Sequence, residues 1–443
     1  MVAFRSGRLD ARAIWDEAVR AALPVPLISR ATALATYADA IRSAPRLIVV
    51  GAGKAGAGMA AALELVLADH LDRVQGLVNV PAGLHPSLQR IRLHTARPPG
   101  VNEPTPEGVV GADEMLSRLA GAGPSDVAFC LLSGGASALL PAPSAGLTLA
   151  DKLAATRLLH RSGATINEMN RVRKHLSRAK GGGFATAFRG RLLISLIISD
   201  VVGDPLDVIG SGPTAPDPTT FADALAVIRR FGLESQLPPP ALDHLARGAA
   251  GEFPDTPKHL PPHVINHIIG NNRSSLTAAA TKATELGYRL LDLGSFVEGE
   301  TRAVATAVAG VVRSIRDDRQ PVAPPACVLI GGETTVTLGP DAGRGGRNQE
   351  FVLALLAKLA SVPRGLDGVT LLSGGTDGED GPTDAAGAIA DSQTVIRAAD
   401  LGLSLDDHLH RHDAYPFFDR TGDLLRIGLT GTNVMDVRVI LIS

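Results

Sequence analysis

Apolar runs of strand length alternate along this chain with stretches of helical periodicity. Arg46 to Val50, Gln75 to Val80, Val127 to Leu132 and Leu192 to Ser199 are each nearly unbroken rows of aliphatic residues. Each is followed by glycine or a small polar residue and then a helix-like segment. That alternation predicts parallel strands covered on both faces by helices. It resumes with Val264 to Ile269, Tyr288 to Leu293, Cys327 to Ile330, Val369 to Leu372 and Val437 to Ile442. Between the two series, Gln236 to Pro262 is rich in proline and has room only for a short helix near Asp243 to Arg247. The expected architecture is α/β in two domains: residues 1–240 around a mostly parallel sheet, a proline-rich connection over 241–262, and a second α/β domain over 263–443. Ligands of such sheets gather at the carboxyl ends of the strands, which makes the interdomain cleft the expected active site.

Composition sharpens this picture. A length of 443 residues suits two domains of about 200 residues each. With 43 Lys+Arg against 45 Asp+Glu there is no bulk field to attract nucleic acid or an anionic membrane, so any basic function is local. The 48 glycines and few aromatics fit tight βα turns around an Ala/Leu/Val core. Cys130 and Cys327 lie inside apolar strand-like runs, as reduced buried thiols do, and two cysteines are too few for a metal cluster. No segment approaches the ~18 uncharged apolar residues of a membrane span. The first helix, around Asp10 to Arg20, mixes charges with apolar residues, unlike a signal peptide. The protein is expected to be cytoplasmic, without nucleic-acid or membrane partners.

The candidate chemistry sits in glycine turns. Gly345-Gly346-Arg347-Asn348-Gln349-Glu350 sets a guanidinium behind a glycine turn that opens a helix, and follows a second expected turn at Gly331-Gly332. Free N–H groups and a planar fork of donors suit phosphate or carboxylate, so Gly346, Arg347 and Asn348 are candidate ligands. Gly51-Ala52-Gly53-Lys54-Ala55-Gly56 satisfies the G-x-G-x-x-G spacing of a dinucleotide turn, but the next strand ends in Val78-Asn79-Val80-Pro81, without an acid for the adenosine ribose. Gly53 and Lys54 better suit a phosphoryl group or substrate anion, and an ordinary βα turn with a solvated lysine fits the same residues. Ser133-Gly134-Gly135-Ala136-Ser137 offers hydroxyls and amides to an anion. No G-x-S-x-G elbow accompanies it, which ranks hydrolase chemistry below anion binding.

Between Asn167 and Gly183, Arg173, Lys174 and Lys180 belong to a dense cationic run. Such a run is ordinarily a solvated face, but the triple glycine that ends it demands close backbone approach and favours a polyphosphate reading. Asp200, just beyond the run Ile194 to Ser199, is placed to hold Mg²⁺ or to accept a hydroxyl proton; Asp204, before proline, reads as a turn former. In Ser373 to Gly387, Asp377 is the candidate metal ligand, with Glu379 and Asp380 expected to be solvated turn acids. Cationic glycine loops and strand-end aspartates in both halves form an inventory for phosphoryl transfer.

These motifs, in this order, resemble the class II glycerate 2-kinases, which join an N-terminal Rossmann-like domain to a MOFRL domain. The likeness runs from about Ile14 to the C-terminus and rests on Gly51-Ala-Gly-Lys-Ala, Ser133-Gly-Gly-Ala-Ser-Ala-Leu-Leu, Asn170-Arg-Val-Arg-Lys-His-Leu-Ser, Ser199-Asp-Val-Val-Gly-Asp, Gly210-Ser-Gly-Pro-Thr, Gly345-Gly-Arg-Asn-Gln-Glu, Gly375-Thr-Asp-Gly-Glu-Asp and Thr432-Asn-Val-Met-Asp. Where the family usually shows Thr-Gly-Pro-Thr, this chain has Ile427-Gly428-Leu429-Thr430. The resemblance implies ATP-dependent phosphorylation of D-glycerate at the C2 hydroxyl with a divalent cation such as Mg²⁺, by a monomer or homodimer. It implies Lys54 and Arg347 as catalytic cations and Ser133 to Ser137 as glycerate or phosphate ligands. Asp200 as base or metal ligand and Asp377 as metal ligand are physical assignments added to it. Two other readings stay open: an NAD(P)H-dependent hydroxypyruvate reductase, a label also given to family members, and a non-catalytic sensor of small anions.

Overall fold

A computed structural model describes residues 7–83, 85–98 and 103–443. Two compact units are formed, one of Pro24–Ile269 and one that joins the N-terminal helix, through Leu23, to Gly270–Ser443. The first unit is built on β1 (Leu47–Ala52), β2 (Val74–Pro81), β3 (Ile91–Arg97), β4 (Val127–Leu132), β5 (Leu192–Ile198) and β6 (Val264–Gly270), in the spatial order β3-β2-β1-β4-β5-β6. The pairs from β3 to β5 are all parallel. β1, β4 and β5 are buried along their whole length, as unbroken aliphatic runs between two helical layers must be. The strand order reverses between β1 and β4, because β2 and β3 lie to one side and β5 and β6 to the other. That reversal opens a crevice at the carboxyl ends of β1 and β4, the usual ligand position in a doubly wound sheet.

The second unit contains β7 (Arg289–Asp292), β8 (Val297–Glu300), β9 (Ala326–Thr335), β10 (Val369–Gly375), β11 (Gly387–Ala390), β12 (Leu424–Leu425) and β13 (Asp436–Ile442). Its order is β12-β11-β10-β13-β9-β7, with β8 also on β9. This sheet is mixed: β13 runs antiparallel to both β10 and β9. Apolar periodicity does not encode strand direction, and β13, buried throughout, reads like any parallel core strand. The expected turn at Gly331-Gly332 is also absent, since both glycines lie within β9. Gly332 has φ 101°, and a Cβ there would sit 2.3 Å from the carbonyl oxygen of Val297, so glycine serves the close approach of β8.

The unit boundaries also differ from those expected at 240 and 263. Helix Gly7–Ala21 packs Ile14, Trp15, Ala18 and Val19 onto the second sheet, among Leu329, Leu372 and Val439. Trp15 Nε1 donates to the carbonyl of Gly374 (3.4 Å) and Tyr288 donates its hydroxyl to Asp10 (2.9 Å). At the other boundary, helix Pro239–Ala249 and strand β6 complete the first unit instead of linking two domains. Prolines at the first turn of that helix start it, because their missing N–H groups have no helical partner to lose.

Candidate functional site

At the switch point of the first sheet, the chain leaves β1 through Gly53, whose φ is 143°. A Cβ at Gly53 would lie 2.0 Å from Ser133 Oγ and 2.7 Å from its carbonyl oxygen. Two crossing bonds fasten the turns together: Lys54 N–H donates to Gly134 O (2.8 Å) and Ala55 N–H to Ser133 Oγ (3.0 Å). The Ser133 hydroxyl therefore braces the lysine turn. Gly135, at φ 80°, lies under the Lys54 stem, whose Cγ would be 3.6 Å from a Cβ there. Gly53, Lys54, Ser133, Gly134 and Gly135 thus form one constellation. Replacing Gly53 by Ala is expected to lower stability by roughly 2–3 kcal/mol through strain and collision with Ser133, read as a fall in the denaturation midpoint at unchanged m-value.

Ser137 gathers the next group. Lys180 Nζ donates to Ser137 O (2.8 Å) and Oγ (2.6 Å), Arg173 donates to the same Oγ, and Asn170 Oδ1 accepts from Arg173 and from Ser211, each at 3.3 Å. Burial, with Arg173 nearby, pushes the Lys180 ammonium well below its ordinary range. Lys174, read from the sequence as a neighbour in this cationic group, points elsewhere. Its Nζ is held by Asp207 (2.9 Å) and Asp217 (3.2 Å), beside the His175–Asp255 pair (2.9 Å). Successive residues of a helix face about 100° apart, and here Arg173 turns to Ser137 while Lys174 turns to the two aspartates. Asp200 follows β5, half-buried, at the same edge of the sheet as Gly53 and Ser133.

In the second unit, the ends of β9 and β10 and the start of β13 meet the N-terminus of helix Arg347–Ala360. Arg347 forks onto Asp436 (Nε 2.7 Å, Nη2 3.0 Å) and reaches Glu333 with Nη1 (2.8 Å). Asn348 donates Nδ2 to Asp436 (2.8 Å) and accepts from Ser373 Oγ (2.5 Å). Arg438, fully buried, donates to Thr334 (2.9 Å) and Asp436 (3.1 Å), over the ring of Phe351. The anion position offered by the Gly345-Gly346 turn is already filled: Asp380 accepts the N–H groups of Asn348 (3.0 Å) and Gln349 (2.8 Å). Gly346 allows that approach, since a Cβ would lie 2.3 Å from the carboxyl carbon. Asp380 is therefore a buried helix cap, not a solvated turn acid, and burial pushes it up to about 7 against the pull of the two N–H groups. Glu333 is likewise raised, by burial first.

Asp377 stands half-exposed in the turn after β10, its carboxylate accepting from Glu379 N–H (3.2 Å) and its carbonyl from Thr430 N–H (3.1 Å). The Ile427-Gly428-Leu429-Thr430 segment thus packs on the Asp377 turn, with Leu429 exposed. Glu333 and Arg438 escaped the sequence reading, and Asp436 entered it only as the last residue of Thr432-Asn-Val-Met-Asp, without a role. Asp436 and Arg438 carried a usable signal, as charges at the start of an otherwise apolar final strand. Among the described residues no three His, Cys, Asp or Glu side chains are grouped to hold a metal, and no helix is long and apolar enough to cross a membrane.

Comparison with known proteins accords with this layout. Residues 10–246 match the family model described as a domain of unknown function, DUF4147, and residues 326–436 match the MOFRL family. A protein of Agrobacterium vitis, provisionally named a hydroxypyruvate reductase, is 41% identical over 99% of this chain and 95% of its own length. The glycerate 2-kinase of Pyrococcus horikoshii is 37% identical over 90% of this chain and 88% of its own. The crystal structure of a glycerate kinase from Thermotoga maritima superimposes with a TM-score of 0.86 at 32% identity, covering 98% of this chain and 99% of the other. With both domain models matched in order and glycerate kinases aligned over most of its length, the chain belongs to the class II glycerate kinase family.

Proposed function

We propose that the protein transfers the γ-phosphoryl group of ATP to the C2 hydroxyl of D-glycerate, giving 2-phosphoglycerate and ADP. The observation that carries this reading is the lysine-bearing glycine turn at the switch point of the first sheet, clamped to Ser133-Gly134-Gly135. In the proposed step the C2 oxygen attacks the γ-phosphorus while the bond to the β,γ-bridging oxygen breaks. Asp200, at the same edge of the sheet, takes the hydroxyl proton. Lys54 and Arg347 neutralise charge that develops on the transferred group, the largest single contribution to such reactions.

A divalent cation accompanying ATP is part of the proposal. Mg²⁺ keeps several waters and takes one or two carboxylates besides the phosphates. Asp377 is a carboxylate we assign to it, with Asp200 as the alternative ligand where it does not act as the base, and when bound the cation would offset the charge of the β- and γ-phosphates. The reductase name borne by relatives from Agrobacterium vitis is less well supported. Near the end of β2 stands Asn79, fully buried with its amide nitrogen donating to Leu139 O (2.7 Å) and Gly108 O (3.2 Å), where a dinucleotide turn needs an acid for the ribose. Two buried, unpaired cysteines agree with a reducing, cytoplasmic setting.

The test mixes purified protein with D-glycerate, ATP and Mg²⁺, follows ADP release and identifies the phosphoglycerate isomer by NMR. We expect the 2-phospho isomer alone. The 3-phospho isomer would overturn the regiochemistry, and NADH oxidation with hydroxypyruvate in the absence of any phosphorylated product would overturn the kinase.

A further inference from the structure

A second feature of the first unit lies outside the lysine turn. A cavity of about 200 Å³ is lined by Ser137, Lys152, Arg173 and Lys180, with Glu103 and Arg157 at its rim. Glu103 is engaged by Arg157 through both carboxylate oxygens, so the acid at the rim is already neutralised. The other three cations lean only on neutral groups: Arg173 on Ser137 and Asn170, Lys180 on Ser137 and Ser211, while buried Lys152 Nζ has no hydrogen-bond partner among the described residues. Burying an ammonium unpaired is costly, and proteins keep such groups chiefly where a ligand completes them.

We propose that this cavity is the subsite for the carboxylate of the substrate, with Lys152 as a specificity-determining residue that pairs with the acid end of a small 2-hydroxycarboxylate. The identity of the acid as glycerate rests on the kinase reading. Size is compatible with the class: a cavity of about 200 Å³ has room for a three- or four-carbon acid. Arg173 adds a planar fork, which suits the two oxygens of a carboxylate.

The charge balance around Lys152 supplies an independent readout. Arg173, Arg178 and Lys180 face it as like charges and Glu103 is tied to Arg157, so burial first and Arg173 next push Lys152 down to about 7. A bound carboxylate restores the proton. Affinity for the acid therefore falls as pH rises above about 7, and at pH 8 binding takes up a proton at Lys152 in addition to any at Lys180.

The experiment is calorimetry without ATP, on the wild type and on Lys152→Met and Lys152→Gln, with D-glycerate, lactate and inorganic phosphate as probes, in buffers of different ionisation enthalpy. Removing an unpaired buried cation leaves folding intact or improves it, so both variants are expected to melt no lower than wild type. They are expected to bind D-glycerate and lactate about ten- to a hundredfold more weakly, with about one proton fewer taken up at pH 8 and the KM for ATP unchanged. Unaltered affinity for the acids, or preference for phosphate over both acids in the wild type, overturns the subsite. Loss of lactate binding in the variants, in an enzyme that phosphorylates no glycerate, upholds the subsite and sinks the kinase reading. Normal turnover with an unchanged KM for glycerate does the reverse.

Discussion

Replacing Arg347 by Ala is expected to lower kcat by about a hundredfold or more and to destabilise the protein at the same time. The two losses have separate causes. The guanidinium is assigned to charge developing on the transferred phosphoryl group, and it also offsets Asp436, which has no exposed side-chain surface, and Glu333. Without it, Asp436 stays buried beside Asp380 with Arg438 as its remaining cation and the Asn348 amide as a neutral donor. Breaking such a pair costs about 3 kcal/mol, near the low end for buried ion pairs because the arginine is a third exposed. Chemical denaturation and steady-state kinetics on one preparation read both quantities. The double variant Arg347→Met with Asp436→Asn should recover most of the stability and none of the turnover. Recovery of turnover as well would show that Arg347 matters only as a support for the fold.

Lys54→Ala is expected to cost a comparable factor in kcat, about a hundredfold or more, with a much smaller effect on stability. Lys54 is half-exposed, and backbone N–H groups, its own and that of Ala55 among them, fasten its turn. The turn therefore survives the substitution, and the melting transition should move by no more than about 1 kcal/mol equivalent. If Lys54 acts only on the transferred group, kcat and kcat/KM for glycerate fall together and the KM for glycerate stays near its original value. Near-normal turnover would remove Lys54 from the chemistry and leave the turn as a structural device.

Much of the first sheet was legible in the chain. β1, β2, β4 and β5 follow the aliphatic runs to within a residue or two, because a strand buried on both faces needs an unbroken apolar row. β3, with its half-exposed middle, and the short strands β8, β11 and β12 were not legible, since short or edge strands leave no such row. The resemblance to class II glycerate kinases agrees with the family matches, and the glycine turns it rests on stand where sharp backbone geometry is required. The compact units divide elsewhere than the proline-rich stretch suggests, for a local reason. Prolines mark where regular structure stops, but which sheet receives the helix Gly7–Ala21 depends on a surface more than two hundred residues away in sequence.

The amino-acid order by itself thus determined the α/β class, the core strands, the glycine turns at Gly53, Gly135 and Gly346 and the cations set in them, because burial periodicity and backbone strain are largely properties of neighbouring residues. Tertiary structure alone decided which charges meet. It turned Lys174 to Asp207 and Asp217 while Lys180 went to Ser137, placed Asp380 on the helix N-terminus that the glycine turn had seemed to leave open, brought Asp436 under Arg347, and left Lys152 at the wall of a cavity. A charged side chain is paired according to whatever the fold carries within a few ångströms of it, and that distance is not written in its sequence neighbourhood.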